Sequence, residues 1–232
     1  MAVSFTLVFV DDPKEVRDPA VSAVAALGEP TRRRLYDHVV RQSAAVSRDD
    51  AAAALGLARQ TVAFHLDRLA EESLLDVVYE RRSGRSGPGA GRPAKLYRRS
   101  MKEIAVSLPD RRYELAGRLL AQAVEESAAT GAPVQEVLHR RAEELGARLE
   151  EPGNLSLVEL LERYGFEPRH EAGAIVLGNC PFHALAREHT QTVCGMNLHL
   201  LRGVLHGLGE RAYTACLSPA PGRCCVRLEP VA

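Results

Sequence analysis

Residues 47–69 read SRDDAAAALGLARQTVAFHLDRL, and this stretch decides the fold of the N-terminal part of the chain. It opens with Ser47 and two aspartates, the pattern of a helix N-cap with acids in the first turn. A short alanine-rich helix then meets the turn Leu55–Leu57, and a second helix starts at Ala58. Two short helices joined by a tight glycine-containing turn predict a helix-turn-helix, whose second helix enters the major groove of DNA.

The second helix is predicted to contact bases. Val62, Leu66 and Leu69 recur at helical spacing and form its inward stripe. The polar residues are then expected to face outward, where arginine and glutamine make paired hydrogen bonds to guanine and adenine edges. The alternative is that these positions are merely solvated. The candidate DNA-binding residues of this helix are Arg59, Gln60, Thr61, His65 and Arg68.

A basic hairpin is predicted to follow. Leu74–Glu80 and Arg92–Arg98 are expected to be strands, and the glycine-rich stretch between them indicates a flexible loop. Residues 81–99 hold seven basic residues and no acidic one, although the net charge of the whole chain is zero. Such a wing would neutralise phosphates or enter a minor groove, unless it is an ordinary charged hairpin. The candidate contacts are Arg85, Arg92 and Lys95.

These motifs carry a family resemblance. Gly28–Arg32, the helix Ala58–Leu69 and the segment Gly91–Tyr97 together resemble the ArsR-type winged-helix repressors. The resemblance extends over about residues 18–100. It implies a homodimer that binds a palindromic operator in double-stranded DNA.

The composition is that of a globular protein with one large domain or two ordinary ones. Of 232 residues, 46% are hydrophobic and 26% are charged. No stretch approaches the roughly 18 apolar residues of a membrane span, and the apolar start Met1–Val10 lacks the basic region of a signal peptide. These features predict a cytoplasmic protein with reduced thiols and no membrane partner.

Three regions are predicted, with an α+β fold class overall. Residues 1–100 form the winged helix-turn-helix domain, with its first helix starting at Asp18-Pro19. Residues 101–150 form a helical linker and dimerisation region, because symmetric half-site reading needs a fixed spacing between two recognition helices. The alternative is that these helices only connect two domains. Residues 151–232 form an α+β sensor domain.

The sensor domain is expected to begin with a helix capped by Asn154. A hairpin turning at Glu171–Gly173 follows, and then a helix over Leu198–Leu208. The last predicted hairpin pairs Ala212–Leu217 with Cys224–Leu228.

All five cysteines lie in the last 53 residues of the chain. In a reducing compartment such a group indicates metal, cluster or redox chemistry, and soft thiolates select zinc or iron–sulfur clusters. The lack of a C-x-x-C pair disfavours a zinc ribbon. Cys180 and His183 can share a helical face, whereas Cys224 and Cys225, adjacent in a strand, are expected to point to opposite faces. The alternative is that the cysteines are small buried hydrophobic residues.

A second resemblance concerns these cysteines. Asn179–Phe182, Val193-Cys194 and Cys224–Val226 resemble the C-terminal domain of the SufR-type branch of ArsR-like regulators. Members of that branch carry an iron–sulfur cluster and repress cluster-assembly operons. The resemblance implies Cys180, Cys194 and either Cys224 or Cys225 as ligands, while Cys216 is not spaced like the family's remaining cysteine. The fourth ligand is then His183, His189 or an exogenous group, and zinc is the alternative to the cluster.

The sequence therefore predicts a DNA-binding transcriptional regulator, a repressor by resemblance, whose operator binding responds to a cluster or metal. The alternative is a winged-helix regulator that senses a small organic effector, with structural cysteines. An enzyme is not predicted. Cys180 with His183 or His189 resembles a nucleophile–base pair, but no orienting carboxylate or oxyanion motif accompanies it.

Overall fold

The computed structural model of the protein describes residues 13–80, 93–149 and 155–231, with side chains from residue 19 onward. It divides into two compact units, Met1–Val106 and Ser107–Ala232. The fold class is α+β, as the sequence predicts. No helix within the described ranges combines the length and the apolar character that a membrane span requires.

Among the described residues of the first unit, four helices pack against a small antiparallel sheet. Its strands lie in the order β1-β3-β2, and its core includes Leu35, Leu66 and Tyr97. The first helix extends further toward the N-terminus than predicted, so that Pro19 lies inside it. The elements are α1 (Pro13–Ala26), α2 (Pro30–Val40), β1 (Val46–Ser47), α3 (Arg48–Leu55), α4 (Arg59–Glu71), β2 (Leu75–Glu80) and β3 (Ala94–Arg99).

Local signals in the sequence set the helix boundaries of this unit. The Ser47 hydroxyl accepts a hydrogen bond from the Asp50 backbone N–H at 3.1 Å, and the Asp50 carboxylate accepts from Ser47 in return. Gly56 ends α3 with φ +65°, a left-handed conformation that glycine adopts without penalty. The predicted cap and turn are therefore confirmed, and they fix where α4 can begin.

In the described part of the second unit, five helices pack with a four-stranded antiparallel sheet of order β4-β5-β7-β6. Helices α6 and α9 form its most extensive contact, and α5 packs on α6. The helices predicted as a linker therefore belong to this unit by packing. The elements are α5 (Tyr113–Thr130), α6 (Val134–Gly146), α7 (Leu157–Arg163), β4 (Pro168–Glu171), β5 (Ala174–Leu177), α8 (His183–Glu188), α9 (Thr190–Gly207), β6 (Tyr213–Leu217) and β7 (Val226–Pro230).

Two boundaries in this unit differ from the prediction. Ser156 caps α7 in a capping box with Glu159, and the predicted cap, Asn154, lies outside the described residues. Helix α9 starts at Thr190, eight residues before the predicted start. Its first two turns were not predicted because they contain Thr, Gly and Asn, which are poor helix formers. Cys194 therefore lies inside a helix.

The second strand of the last hairpin also begins later than the sequence predicts. Leu217 pairs with Val226 and Cys216 pairs with Arg227, so β7 begins after both adjacent cysteines. The expectation that Cys224 and Cys225 alternate within a strand is wrong, since they form the bend that leads into it. Because these two residues are not in a strand, their side chains need not point to opposite faces, and both can contribute to one site.

Two stacked histidines link α6 to α9. The His139 and His199 rings stack with centroids 4.3 Å apart, and His199 Nδ1 lies 2.9 Å from Glu143 Oε2. Burial lowers the pKa of His139, and the neighbouring charges of His199 and Arg202 lower it further.

We expect the unfolded chain to bind a proton at His139 more readily than the folded protein does. The stabilising contribution is then fully present above about pH 6.5, the ordinary histidine value, and is lost as the pH falls toward the lower pKa of the folded state. Urea unfolding of His139→Leu from pH 8 to pH 5 should lose less stability than the wild type. His170→Asn, which alters an exposed strand residue, should keep the wild-type slope. An unchanged slope in His139→Leu would contradict this assignment.

Candidate DNA-binding surface and cysteine cluster

Helix α4 presents one buried and one exposed face. Val62, Leu66 and Leu69 are completely buried, as the inward stripe predicts. Helical spacing then leaves a row of side chains in solvent along the opposite face. The exposed side chains of α4 are Arg59, Gln60, Thr61, Phe64, Arg68 and Glu71.

The expectation that His65 faces outward is wrong. Its side chain is buried, with Nδ1 3.6 Å from Glu29 Oε2 at the start of α2. The reason is helical phase, because His65 lies three residues after Val62 and four before Leu69. Phe64 takes the outward position instead and is 64% exposed.

The two arginines of this face differ in how far acids balance their charge. Arg59 Nε lies 2.5 Å from Asp49 Oδ1, and both side chains are more than half exposed. Arg68 pairs with both Glu71 and Glu72. Exposed ion pairs contribute little free energy, so a DNA phosphate or base edge can replace the Asp49 contact at small cost. Arg59 is the freer of the two cations.

Asp67 joins α4 to the wing strand β3. Its Oδ1 accepts hydrogen bonds from Lys95 Nζ at 2.5 Å and from the Tyr97 hydroxyl at 2.6 Å. Partial burial opposes ionisation of Asp67, but these two donors outweigh burial and keep the pKa of the carboxyl below its usual value. Lys95 therefore fixes the wing to the helix, and its predicted contact with phosphate stays a prediction.

Replacing Tyr97 by phenylalanine should loosen this connection. The hydroxyl donates to an ionised acceptor, so its loss should lower the free energy of unfolding by about 1.5–3 kcal/mol. Urea denaturation of the whole protein measures the change. Tyr79→Phe is the matched control, because Tyr79 lies on the neighbouring strand with a largely exposed side chain. Equal stability losses in both variants would show that the hydrogen bond from Tyr97 to Asp67 adds nothing to the free energy of unfolding.

The two strands of the wing are confirmed. They pair antiparallel from Leu75 with Arg99 to Glu80 with Ala94. The predicted contacts Arg85 and Arg92 lie outside the described residues.

Residues 27–78 match the family described as a helix-turn-helix domain. The matched segment includes α2, α3 and α4, the elements that build the exposed row of α4. This chain carries a helix-turn-helix domain. The match supports a DNA-binding transcriptional regulator of the winged helix-turn-helix type. No characterised protein and no solved structure matches the chain.

Four of the cysteines form two pairs in the second unit, and we call Cys180, Cys194, Cys224 and Cys225 the cysteine cluster. Cys194 on α9 forms a disulfide with Cys225, with Cα atoms 6.4 Å apart. The thiols of Cys180 and Cys224 form a hydrogen bond. Asn197, one turn after Cys194 on α9, donates from Nδ2 to Cys224 Sγ at 3.2 Å and so ties the two pairs together.

The two thiols of the cluster differ in acidity. The hydrogen bond from Cys224 lowers the pKa of Cys180, against the effect of burial and with help from the Phe182 backbone N–H and the charge of Arg111. The same hydrogen bond, together with burial, raises the pKa of Cys224. Cys180 is therefore the first of the pair to become a thiolate, the form in which cysteine binds metals.

Polar contacts fix the loop that carries Cys180. Asn179 Nδ2 donates to the carbonyls of Asp110 and Gly165, at 3.0 and 2.6 Å. Arg111 Nη1 donates to Asn179 Oδ1 at 2.5 Å and to the Cys180 carbonyl at 3.1 Å. The Arg112 backbone N–H donates to the Pro181 carbonyl at 3.0 Å. Residues 110–112 therefore hold the Cys180 loop from one side.

The remaining predicted residues lie elsewhere. His183 starts α8 with an exposed side chain, and its backbone N–H donates to the Cys180 carbonyl at 3.0 Å. Cys216 lies on β6, where its Sγ contacts the Arg227 carbonyl at 3.6 Å. In this disulfide-bonded state, the described residues include no group of three His, Cys, Asp or Glu side chains arranged to hold a metal ion.

Sequence reasoning missed Asn197 and Arg111. Asn197 is completely buried, and an amide in the middle of an apolar helical stripe was the available signal for a polar contact. Arg111 carried no comparable signal, since its partner Asn179 is 68 residues away in the sequence.

Proposed function

We propose that the protein is a transcriptional repressor, active as a homodimer on a palindromic operator, whose affinity for DNA depends on an iron–sulfur cluster bound by the cysteine cluster. The DNA-binding part rests on the helix-turn-helix match at residues 27–78. The sensing part rests on one observation, the two cysteine pairs Cys180 with Cys224 and Cys194 with Cys225, which the fold builds from three separate segments of the chain. No catalytic step is needed for this role.

The donor set fits such a group. Thiolates are the ligands that iron–sulfur clusters take, and hydrogen bonds to their sulfurs tune the potential, as the Asn197 amide is placed to do. When bound, the cluster would make the site responsive to oxygen and iron, because its charge and oxidation state change with their availability. Four thiolates also suit zinc, which is the second choice.

The ligand form requires the Cys194–Cys225 disulfide to be reduced. A dithiol reductant breaks the sulfur–sulfur bond, and two electrons and two protons pass to the cysteine sulfurs while the reductant becomes a disulfide. All four cysteines are then free to lose their protons to the metal group. Three of them are buried, which protects the site from solvent.

The Cys180 loop offers a route from the cluster to the DNA-binding unit. Residues 110–112 bind that loop, and they follow Val106, the last residue of the first unit, by only four positions. A change in the position of Cys180 would break these hydrogen bonds and alter the path of the connecting chain. Arg111 is the residue that we propose couples the two sites.

A homodimer follows from the proposed operator. Symmetric reading of two half-sites requires two copies of α4 at fixed spacing. Helix α5 is the proposed contact, since Val124 and Tyr113 are 56% and 38% exposed on its outer side.

Purification without oxygen tests the sensing role. We expect brown protein that contains iron and sulfide, absorbs near roughly 400 nm and binds its operator about 5- to 150-fold differently from the apoprotein. Arg111→Ala should keep the iron but reduce that difference. Colourless wild-type protein with neither iron nor zinc would refute the proposal.

Substitutions in α4 and the wing test the DNA-binding role. Joint replacement of Arg59 and Gln60 by alanine should cost about 1–3 kcal/mol of discrimination between base pairs. Arg85→Ala or Arg92→Ala should instead weaken binding to all DNA alike and reduce the salt dependence. Gel shifts with specific and random duplexes separate the two effects. If neither set changes binding, this surface does not bind DNA.

A groove in the second unit favours the alternative of a small organic effector. It has a volume of about 710 Å³ and lies along α6 and α9, lined by Glu136, His139, Arg140, Glu143, Glu144, Ala147, Arg148, His199 and His206. A protein with Cys180, Cys194 and Cys224 all replaced by serine discriminates between the two sensors. If it still switches on its operator, the groove and not the cysteine cluster senses the signal.

A further inference from the structure

Phe64 is a large apolar side chain in the middle of a polar DNA-binding face. It is 64% exposed, although phenylalanine is usually buried in folded proteins. Gln60 and Thr61 precede it by about one turn and Arg68 follows by one turn, so the four side chains form one row on α4. Such an exposed aromatic ring indicates a binding contact rather than a core residue.

We infer that Phe64 selects thymine, by packing its ring against the 5-methyl group of that base in the major groove. The methyl group of thymine is the apolar feature that the major groove offers, and phenylalanine is among the side chains that contact it. The inference rests on the proposed DNA-binding function. It assigns apolar recognition to a helix for which the sequence predicted only polar contacts.

The ring is held in place before DNA binds. The rings of Phe64 and His65 lie edge to face with centroids 5.2 Å apart. His65 is buried and close to Glu29, so it forms a fixed support on one side of Phe64. A preformed apolar contact loses little conformational entropy on binding, which favours its use for specificity.

Uracil substitution isolates the methyl contact, because uracil differs from thymine only by the 5-methyl group. The full-length protein first selects a tight-binding duplex from a random pool. Each thymine of that duplex is then replaced in turn by deoxyuridine, and affinity is measured by fluorescence anisotropy. We expect one thymine per half-site at which the wild type binds about three- to fivefold more weakly after replacement.

The variants then assign that penalty to a residue. Phe64→Ala should bind the thymine and uracil duplexes equally, and Phe64→Leu should keep part of the preference. Tyr79→Ala removes an equally exposed aromatic ring of the same unit and should keep the full preference. The inference is overturned if Phe64→Ala retains the wild-type penalty, or if no uracil replacement weakens the wild type. Failure to select any duplex would refute the DNA-binding role itself.

Discussion

Cys224→Ser is expected to abolish the proposed metal binding, whereas Cys216→Ser is expected to leave it intact. Cys224 is 2% exposed, hydrogen-bonds to the Cys180 thiol and accepts from Asn197, so it lies at the centre of the cysteine cluster. Serine keeps nearly the same shape but does not provide the soft thiolate that iron–sulfur clusters and zinc prefer. Cys216 lies on β6 and contacts a backbone carbonyl instead.

Iron, sulfide and zinc analysis of both variants, purified without oxygen, measures the effect. Cys224→Ser should contain none of the three above background, while Cys216→Ser should match the wild type. Thermal unfolding of the two apoproteins checks that both fold. Equal metal content in the two variants would remove Cys224 from the ligand set.

Operator binding gives a second measurement on the same two variants. If the cluster controls DNA affinity, Cys224→Ser should bind the operator like the apo wild type under every redox condition. Cys216→Ser should still respond to oxygen. A Cys224→Ser protein that responds fully to oxygen would separate the cysteine cluster from regulation.

The helix-turn-helix was predictable because its signals are local. The Ser47 cap, the Gly56 turn and the stripe of Val62, Leu66 and Leu69 each depend on residues within one or two turns. The spacing of these three residues also predicts that His65 lies on the buried face. His65 is polar, but its spacing from Val62 and Leu69 brings it to the buried face, and Phe64 occupies the exposed position instead.

The second unit was less predictable because its site is built from distant segments. The disulfide joins residues 31 apart, and the Arg111 contact spans 68. Cys224 and Cys225 can contribute to one site because β7 begins at Val226, after both residues, and not at Cys224 as the sequence predicted. Sequence spacing identified the cysteines, but which of them meet follows from how α9 packs beside the bend before β7.

Gly203→Ala is expected to destabilise the second unit strongly, since α6 and α9 approach closely through glycines. A Cβ at Gly203 would lie 2.0 Å from the Glu143 carbonyl oxygen, and one at Gly146 would lie 2.0 Å from the Leu200 carbonyl oxygen. Both obstacles are backbone atoms, so the added methyl can fit only if the helices separate. Overpacking of this kind should lower the free energy of unfolding by about 3 kcal/mol.

The matched control is Gly117→Ala in α5, where an added Cβ meets nothing within 4 Å. That change should stabilise the protein by up to about 1 kcal/mol, because alanine is the better helix former. Urea unfolding of both variants gives the comparison, and equal stabilities would contradict the close packing. Because α9 carries Cys194 and Asn197, a separation of the helices should also disturb the cysteine cluster. If the cysteine cluster binds iron as proposed, Gly203→Ala should therefore lose iron as well as stability, and Gly117→Ala should lose neither.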